Sequence, residues 1–153
     1  MTVNKRPSDD DKRERIDVLY ARSKRLFAEV ADLTIEELDR LRENELVVLI
    51  DVRNPSEQQV SMIPGAITAA EFDADPGAHA GATLVTYCTI GHRSGLYAQK
   101  LQAAGHTVFN LKGAILAWTH AGRELASNSG PTRRVHVAGP KWSLEAGDYD
   151  PVW

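Results

Sequence analysis

Residues 83–94 read TLVTYCTIGHRS, which combines a strand, a tight turn and the start of a helix. Residues 83–87 form a short, mostly apolar run of the kind found in parallel strands that are buried on both faces. The run stops at Cys88, the turn passes through Gly91, and a helix is predicted over about residues 94–104. In open α/β sheets, ligands bind outside the carboxyl ends of the strands, where helix N-termini present free backbone N–H groups. The stretch therefore predicts an α/β fold with the cysteine at a binding position.

Strands and helices continue to alternate on both sides of this segment. Strands are predicted over residues 46–52, 66–70 and 107–111, and helices over about residues 34–44 and 113–120. Such alternation indicates βαβ units, and hence a mainly parallel sheet with helices on both faces. The length of 153 residues, with 42% hydrophobic and 25% charged residues, fits one ordinary globular domain.

Two segments lie outside this alternation. Apolar residues recur at steps of three and four over about residues 9–29, which predicts an amphipathic helix that covers one side of the sheet. Residues 127–131 are rich in Ser, Asn, Gly and Pro and predict a linker. The last residues carry Trp142, Tyr149 and Trp153, and since exposed aromatic rings are costly, we expect this tail to lie across the domain or a second copy.

Charge and hydropathy exclude several classes of partner. The formal net charge of −3 gives no basic field for nucleic acid or anionic lipid. The longest clear apolar run, residues 46–50, is far shorter than the roughly 20 residues that span a bilayer. Residues 1–10 lack the apolar core of a secretory signal. We therefore expect no nucleic acid, no membrane contact and a cytoplasmic location.

Cys88 is the single cysteine, which excludes an intramolecular disulfide and a cysteine-rich zinc cluster. It is either a small buried hydrophobe or a reactive thiol. The spacing Cys-x-x-Gly-x-Arg, through Gly91 to Arg93, favours the reactive thiol because it indicates an anion-binding nest that stabilises a thiolate. His92 adds a positive charge, shuttles a proton or simply faces solvent, and the spacing does not distinguish these roles. The other histidines show no ligand spacing, so no metal or cofactor is expected: His79, His106, His120 and His136.

The segment Cys88–Ser94 resembles the active loop of the rhodanese family, the sulfurtransferases that carry sulfur as a cysteine persulfide. Other landmarks of that family match in order: Asp51 and Arg53 with Pro55 and Glu57, then Ile63-Pro64-Gly65-Ala66, then Gly113, Trp118 and Gly122. Met62 stands where many members have a histidine that looks structural in the family. The resemblance covers about residues 33–125.

This resemblance implies a rhodanese-like three-layer α/β fold with a five-stranded, mainly parallel sheet. The chain then divides into three parts: an N-terminal helical extension over residues 1–31, a rhodanese-like catalytic domain over 32–126 and a C-terminal extended arm over 127–153. A homodimer is compatible with this organisation.

The same resemblance implies a function for the loop. Cys88 would accept a sulfane sulfur from a small anionic donor such as thiosulfate and pass it to cyanide or to a thiol, including the thiol of a protein. The substrate-binding residues would be those that follow it: Thr89, Ile90, Gly91, His92, Arg93 and Ser94. Asp51 and Arg53 are expected to form a structural ion pair or loop brace behind the site, and Glu57 is close enough in sequence to pair with Arg53.

Two alternatives use the same residues differently. Phosphatases and arsenate reductases also place an arginine after a cysteine, but four residues separate Cys88 from Arg93 here, whereas the phosphatase loop has five. A non-catalytic rhodanese-like binding module is the second alternative, although such modules usually lack the cysteine. The four-residue spacing and the presence of Cys88 both favour sulfur transfer.

Overall fold

The structure, a computed structural model, describes residues 6–153 and is built around a parallel sheet. Its strands are β1 (Ala31–Leu33), β2 (Val47–Asp51), β3 (Ile67–Thr68), β4 (Thr83–Tyr87) and β5 (Val108–Leu111). They lie in the order β1-β5-β4-β2-β3, and every neighbouring pair is parallel. The predicted α/β fold with a five-stranded parallel sheet is confirmed. The expectation that residues 1–10 are not a secretory signal rests partly on residues 1–5, which lie outside the described residues.

Helices connect these strands and lie before and after the sheet. They are α1 (Asp9–Lys24), α2 (Ile35–Asn44), α3 (Pro55–Val60), α4 (Ala69–Ala74), α5 (His92–Ala103) and α6 (Ala114–His120). The helix α5 begins two residues earlier than predicted because Gly91, with φ 120°, serves as its N-cap residue. His92 and Arg93 therefore lie in the first turn of a helix rather than in a free loop. None of the helices described for residues 6–153 has the length and apolar character needed to cross a bilayer.

Side chains that alternate along the strands pack into two buried clusters, one on each face of the sheet. On β4, Val85 packs in a cluster with Leu38 of α2 and Ile115 of α6. The preceding residue, Leu84, lies in the opposite cluster, together with Phe72 of α4. Burial of each such side chain stabilises the fold by about 1.5–3 kcal/mol. The sheet is thus the middle of three layers.

Strand β1 is the one element of the main sheet that sequence reasoning did not predict. Residues 31–33 pair with β5, with Asp32 opposite Asn110. Three residues are too few to show a strand periodicity, so the segment is read as a break after the first helix. Its pairing with β5 makes β1 an edge strand of the sheet, so Asp32 lies at that edge.

The N-terminal helix does not cover one side of the sheet as predicted. Helix α1 ends at Lys24 and continues as a 3-10 turn over Arg25–Phe27. Its Ile16 belongs to one buried cluster, whereas Tyr20 and Phe27 belong to the other. The predicted helix is present, with Ile16 and Tyr20 as its buried residues, but spacing alone does not say against which part of a fold a helix packs. Helix α1 therefore contributes side chains to the buried clusters on both faces of the sheet.

The predicted linker is instead a β-hairpin. Strands β6 (Leu125–Ser127) and β7 (Gly130–Thr132) pair antiparallel, with Asn128 and Ser129 between them. The turn-forming residues that suggested a linker form the tight turn of this hairpin. The polypeptide chain is therefore ordered where it leaves the sheet.

The tail beyond the hairpin folds back onto the domain. Strands β8 (Arg134–His136) and β9 (Asp150–Val152) pair in parallel. Val135, Val137 and Tyr149 are buried in the same cluster as α6. Trp153 is 61% exposed, contrary to expectation, since it lies beyond the last strand.

Candidate active site

Cys88 directly follows β4 and lies almost completely buried, with 2% of its surface exposed. Two donors face its sulfur: the amide of Gly91, at 3.2 Å from Sγ, and the hydroxyl of Ser94, at 3.4 Å. The carbonyl of Cys88 accepts a hydrogen bond of 3.2 Å from the amide of Ile115, in the first turn of α6. The backbone of Cys88 is therefore held by the start of α6, while its sulfur faces two donors at the start of α5, an arrangement suited to a negatively charged sulfur.

The turn after Cys88 is packed against the N-terminal helix. Gly91 has a left-handed backbone, and a Cβ atom added there would lie 2.5 Å from the ring of Tyr20. The carbonyl of Gly91 accepts a hydrogen bond of 2.9 Å from the side-chain amide of Asn110. Glycine is thus needed at this position both for the turn and for the close approach of α1.

Asn110 connects the loop to the N-terminal segment. Its amide nitrogen also lies 3.2 Å from the hydroxyl of Tyr20, which in turn donates to Asp32 at 2.5 Å. Its oxygen accepts from Thr86 of β4 at 3.1 Å. Burial, and then the hydrogen bond to Asp32, raise the pKa of Tyr20, so the phenol stays neutral. Sequence reasoning missed Asn110, although an amide side chain within an otherwise apolar predicted strand is a signal for such a network, and the structure shows it fully buried.

The contact between Gly91 and Tyr20 gives a first testable prediction. We expect Gly91→Ala to lower the melting temperature more than Gly105→Ala, because only the first substitution drives a Cβ atom into the ring. Gly105 is the matched control: its φ is +96°, so the backbone strain is similar, and a Cβ there meets no described atom within 4 Å. The additional cost of overpacking is about 1–3 kcal/mol. At about 2–4 °C per kcal/mol for a chain of this size, thermal unfolding should show a difference of roughly 2–12 °C. Equal melting temperatures would mean that α1 does not pack on the loop.

Arg93 is engaged by a carboxylate from another part of the chain. Its Nη1 lies 3.2 and 3.1 Å from the two carboxylate oxygens of Glu57, and its Nη2 donates to the hydroxyl of Thr89 at 3.1 Å. Glu57 is 5% exposed and also accepts from the backbone amide of Asn54 in the capping box of α3. The expected pairing of Glu57 with Arg53 is wrong. The turn of α3 directs Glu57 toward α5 instead.

Asp51 and Arg53 form a separate, fully buried ion pair, with 2.8 Å between Oδ2 and Nη2. Tyr87 donates to the same carboxylate oxygen at 2.7 Å, and Arg53 donates to the carbonyl of Ser61 at 2.6 Å. Burial by itself would lower the pKa of Arg53, but the hydrogen bonds and charge of Asp51 outweigh it and raise the pKa. The guanidinium stays charged and braces the chain after β2, outside the pocket described next.

A pocket of about 540 Å³ opens over the sulfur. The loop residues that line it are Cys88, Thr89, Ile90, His92 and Arg93. The two remaining predicted loop residues, Gly91 and Ser94, lie behind the sulfur and donate to it. The structure thus brings the predicted loop residues together around one thiol.

The other walls of the pocket come from the two ends of the chain. Leu19, Arg22 and Ser23 of α1 form one side, and Ala138 and Trp142, from the segment between β8 and β9, form another. The hydroxyl of Ser23 lies 2.9 Å from Nδ1 of His92. No local sequence pattern marks these five residues as parts of a site, because only tertiary packing brings them to the cysteine.

No group of three His, Cys, Asp or Glu side chains within residues 6–153 is arranged to hold a metal ion.

The sequence model of the rhodanese-like domain family matches residues 34–121, more than half of the chain. The chain belongs to the rhodanese-like domain family. The matched range contains the whole loop around Cys88 as well as Glu57. It ends before the tail and begins after α1, so the rhodanese-like domain proper leaves out the pocket walls that the two ends of the chain supply.

Two relatives support this assignment. A sulfurtransferase of Allochromatium vinosum is 33% identical over 101 residues, which cover 60% of this chain and 89% of that protein. An uncharacterized Synechocystis protein is 36% identical over 89 residues, which cover 56% of this chain and 50% of that protein. The rhodanese-like chain therefore spans only half the length of the second relative.

Among solved structures, the thiosulfate sulfurtransferase of Pseudomonas aeruginosa superposes with a TM-score of 0.58 at 25% sequence identity. The match covers 80% of this chain and 24% of that one, so the likeness concerns one part of a longer protein.

Proposed function

We propose that this rhodanese-like chain is a sulfurtransferase in which Cys88 carries the sulfur as a persulfide. The donor would be thiosulfate or a related sulfane-sulfur compound, and the acceptor cyanide or a thiol. The observation that carries the proposal is the position of the sulfur, at the floor of a pocket and within hydrogen-bond distance of Gly91 N and Ser94 Oγ.

The chemistry needs two displacements at sulfur and no external oxidant or reductant. The Cys88 thiolate attacks the outer sulfur of the donor, a new S–S bond forms, and the donor remnant (sulfite, for thiosulfate) leaves with the electron pair of the broken S–S bond. The acceptor then attacks the outer sulfur of the persulfide, and the thiolate of Cys88 leaves. The first-turn amides of α5 have no acceptor within their helix, so they can hold the negative outer sulfur between the two steps.

The carboxylate in the pocket argues against a phosphatase. A phosphatase needs an acid that protonates the leaving group. Of the described residues that line the pocket, Glu57 is the single carboxylate, and both of its oxygens contact Arg93. A carboxylate held in this way is poorly placed to donate a proton, which favours sulfur transfer over phosphate ester hydrolysis.

Mass spectrometry of the intact protein tests the proposal directly. Incubation with thiosulfate should add one sulfur atom to Cys88, and later addition of cyanide should remove that sulfur and release thiocyanate. Protein alkylated at Cys88 beforehand is the control and should gain nothing. Absence of the added sulfur with thiosulfate and with other sulfane-sulfur donors would overturn the proposal, and phosphatase activity in the same preparation would replace it.

A second prediction concerns the Arg93–Glu57 pair. We expect Arg93→Ala to lower kcat/KM for thiosulfate by about one to two decades, because it removes a charge-assisted contact to the anion, worth roughly 1.5–3 kcal/mol. The substitution also leaves the Glu57 carboxylate unpaired beside the anion.

The double variant Arg93→Ala/Glu57→Gln separates these two causes. If Arg93 contacts the donor, the double variant should stay at least about tenfold below the wild-type kcat/KM. Recovery to the wild-type value would show instead that Arg93 only neutralises Glu57.

A further inference from the structure

The pocket over Cys88 is much larger than the donor that the proposed function assumes. At about 30 Å³ per water molecule, its volume of about 540 Å³ corresponds to on the order of 18 waters. Thiosulfate is close in size to a sulfate ion and would displace only a few of them. Pockets of roughly 300–1,000 Å³ with apolar walls and a few converging polar groups are typical of sites for organic molecules.

Part of the pocket lining is apolar, and most of it is supplied by the two ends of the chain. Leu19 of α1 and Trp142 of the tail line it together with Ile90 of the loop. An inorganic anion gains nothing from such a wall, whereas an aliphatic or aromatic group gains by leaving water. Two of these three residues lie outside the matched family range, so the extensions of this chain, and not the matched domain, supply most of this apolar lining.

The same pocket contains a cation, Arg22, that pairs with no carboxylate among residues 6–153. Arg93 contacts Glu57, but Arg22, exposed on α1, forms no salt bridge with any carboxylate in the part of the chain that the structure describes. A guanidinium of this kind pairs well with a carboxylate or sulfonate. Arg22 and the reacting thiol thus offer two separate points of attachment to one ligand.

We propose that the sulfur donor of this site is an organic sulfane-sulfur compound with an apolar or aromatic body, such as an organic persulfide or thiosulfonate. Its body lies against Leu19 and Trp142, and an acidic group at its far end pairs with Arg22. The inference rests on the proposed function, since it names the donor class for the same displacement at Cys88.

The transfer step balances for such a donor. With a thiosulfonate, the Cys88 thiolate attacks the terminal sulfur, and the bond between that sulfur and the sulfonyl sulfur breaks. A sulfinate leaves with the electron pair, and Cys88 becomes a persulfide. No proton, oxidant or reductant enters the step.

Three probe donors with the same reacting group test the proposal: methanethiosulfonate, benzenethiosulfonate and 4-carboxybenzenethiosulfonate. The readout is kcat/KM for thiocyanate release in excess cyanide, divided for each donor by its rate with cyanide in free solution, which removes differences in leaving-group ability. We expect the benzene donor to exceed the methane donor by at least about tenfold, and the carboxylated donor to exceed the benzene donor.

Variants assign these preferences to residues. Leu19→Ala and Trp142→Ala should each lower the ratio of benzene to methane donor by about tenfold. Arg22→Gln should remove the advantage of the carboxylated donor. Val18→Ala is the matched control, because Val18 is a 40% exposed neighbour on the same helix that does not line the pocket, and it should leave all ratios within about twofold.

The outcomes separate the inference from the proposed function. If none of the donors yields thiocyanate, the sulfurtransferase proposal itself is overturned. Thiocyanate released with equal normalised rates for the methane and benzene donors, and with ratios unchanged in Leu19→Ala, would overturn the inference and leave sulfur transfer intact. Melting curves of each variant show whether it is folded, and the three substitutions lie on two separate segments, so loss of one variant leaves the test in place.

Discussion

The Cys88→Ser variant is expected to release no measurable thiocyanate, a loss of at least on the order of a thousandfold in kcat. A serine hydroxyl does not ionise near neutral pH and cannot hold a transferable sulfur. The substitution is nearly isosteric, and the donors at Gly91 N and Ser94 Oγ remain in place for the hydroxyl oxygen. The melting temperature should therefore change little, and the lost activity can be assigned to chemistry rather than to unfolding.

Cys88 is the single cysteine of the chain, which makes this experiment easy to interpret. The variant contains no other thiol that could accept sulfur, so its mass should not increase with any sulfane-sulfur donor. Thiocyanate formation at the wild-type rate by this variant would show that the reaction does not pass through a cysteine persulfide.

Truncation after Gly130 is expected to abolish cooperative folding. The deleted tail contains Val135 and Val137, both 0% exposed, and Tyr149, 4% exposed. Burial of each contributes about 1.5–3 kcal/mol. Their combined loss, roughly 5–9 kcal/mol, is comparable to the total stability of an ordinary domain, about 5–15 kcal/mol. Circular dichroism and thermal unfolding of the truncated protein should show no sharp transition near that of the full chain.

A shorter deletion serves as the control. Removal of Trp153 alone takes away a side chain that is 61% exposed, so the free energy of unfolding should change by less than about 0.5 kcal/mol. If the protein truncated after Gly130 melts cooperatively at the wild-type temperature, the tail does not belong to the core.

The parts of the fold that the sequence predicts are those with a strong local pattern. Strands β2, β4 and β5 are short, mostly apolar runs, and the loop from Cys88 to Arg93 is a contiguous motif between a strand and a helix. These features depend on neighbours in sequence, so one amino-acid sequence is enough to find them.

The parts that sequence reasoning missed depend on contacts between distant residues. The contact of Arg93 with Glu57 joins residues 36 positions apart, and Asn110 reaches Tyr20 across 90 positions. The edge strand β1 is defined only by its pairing with β5. Nothing within a short window distinguishes Glu57 as a partner of Arg93 rather than of Arg53, because the direction in which α3 presents it is set by packing.

The contact of α1 with the loop links occupancy of the pocket to local unfolding of the N-terminal segment. Tyr20 lies against Gly91, and Leu19 from the same turn lines the pocket, so detachment of α1 disrupts the binding site. A ligand whose free concentration is 100 times its dissociation constant therefore raises the free energy of that detachment by about 2.7 kcal/mol, if the detached form does not bind the ligand. The segment before the family domain is therefore expected to unfold locally less often as the ligand concentration rises, and amide exchange in α1, measured with and without a sulfur donor, checks this.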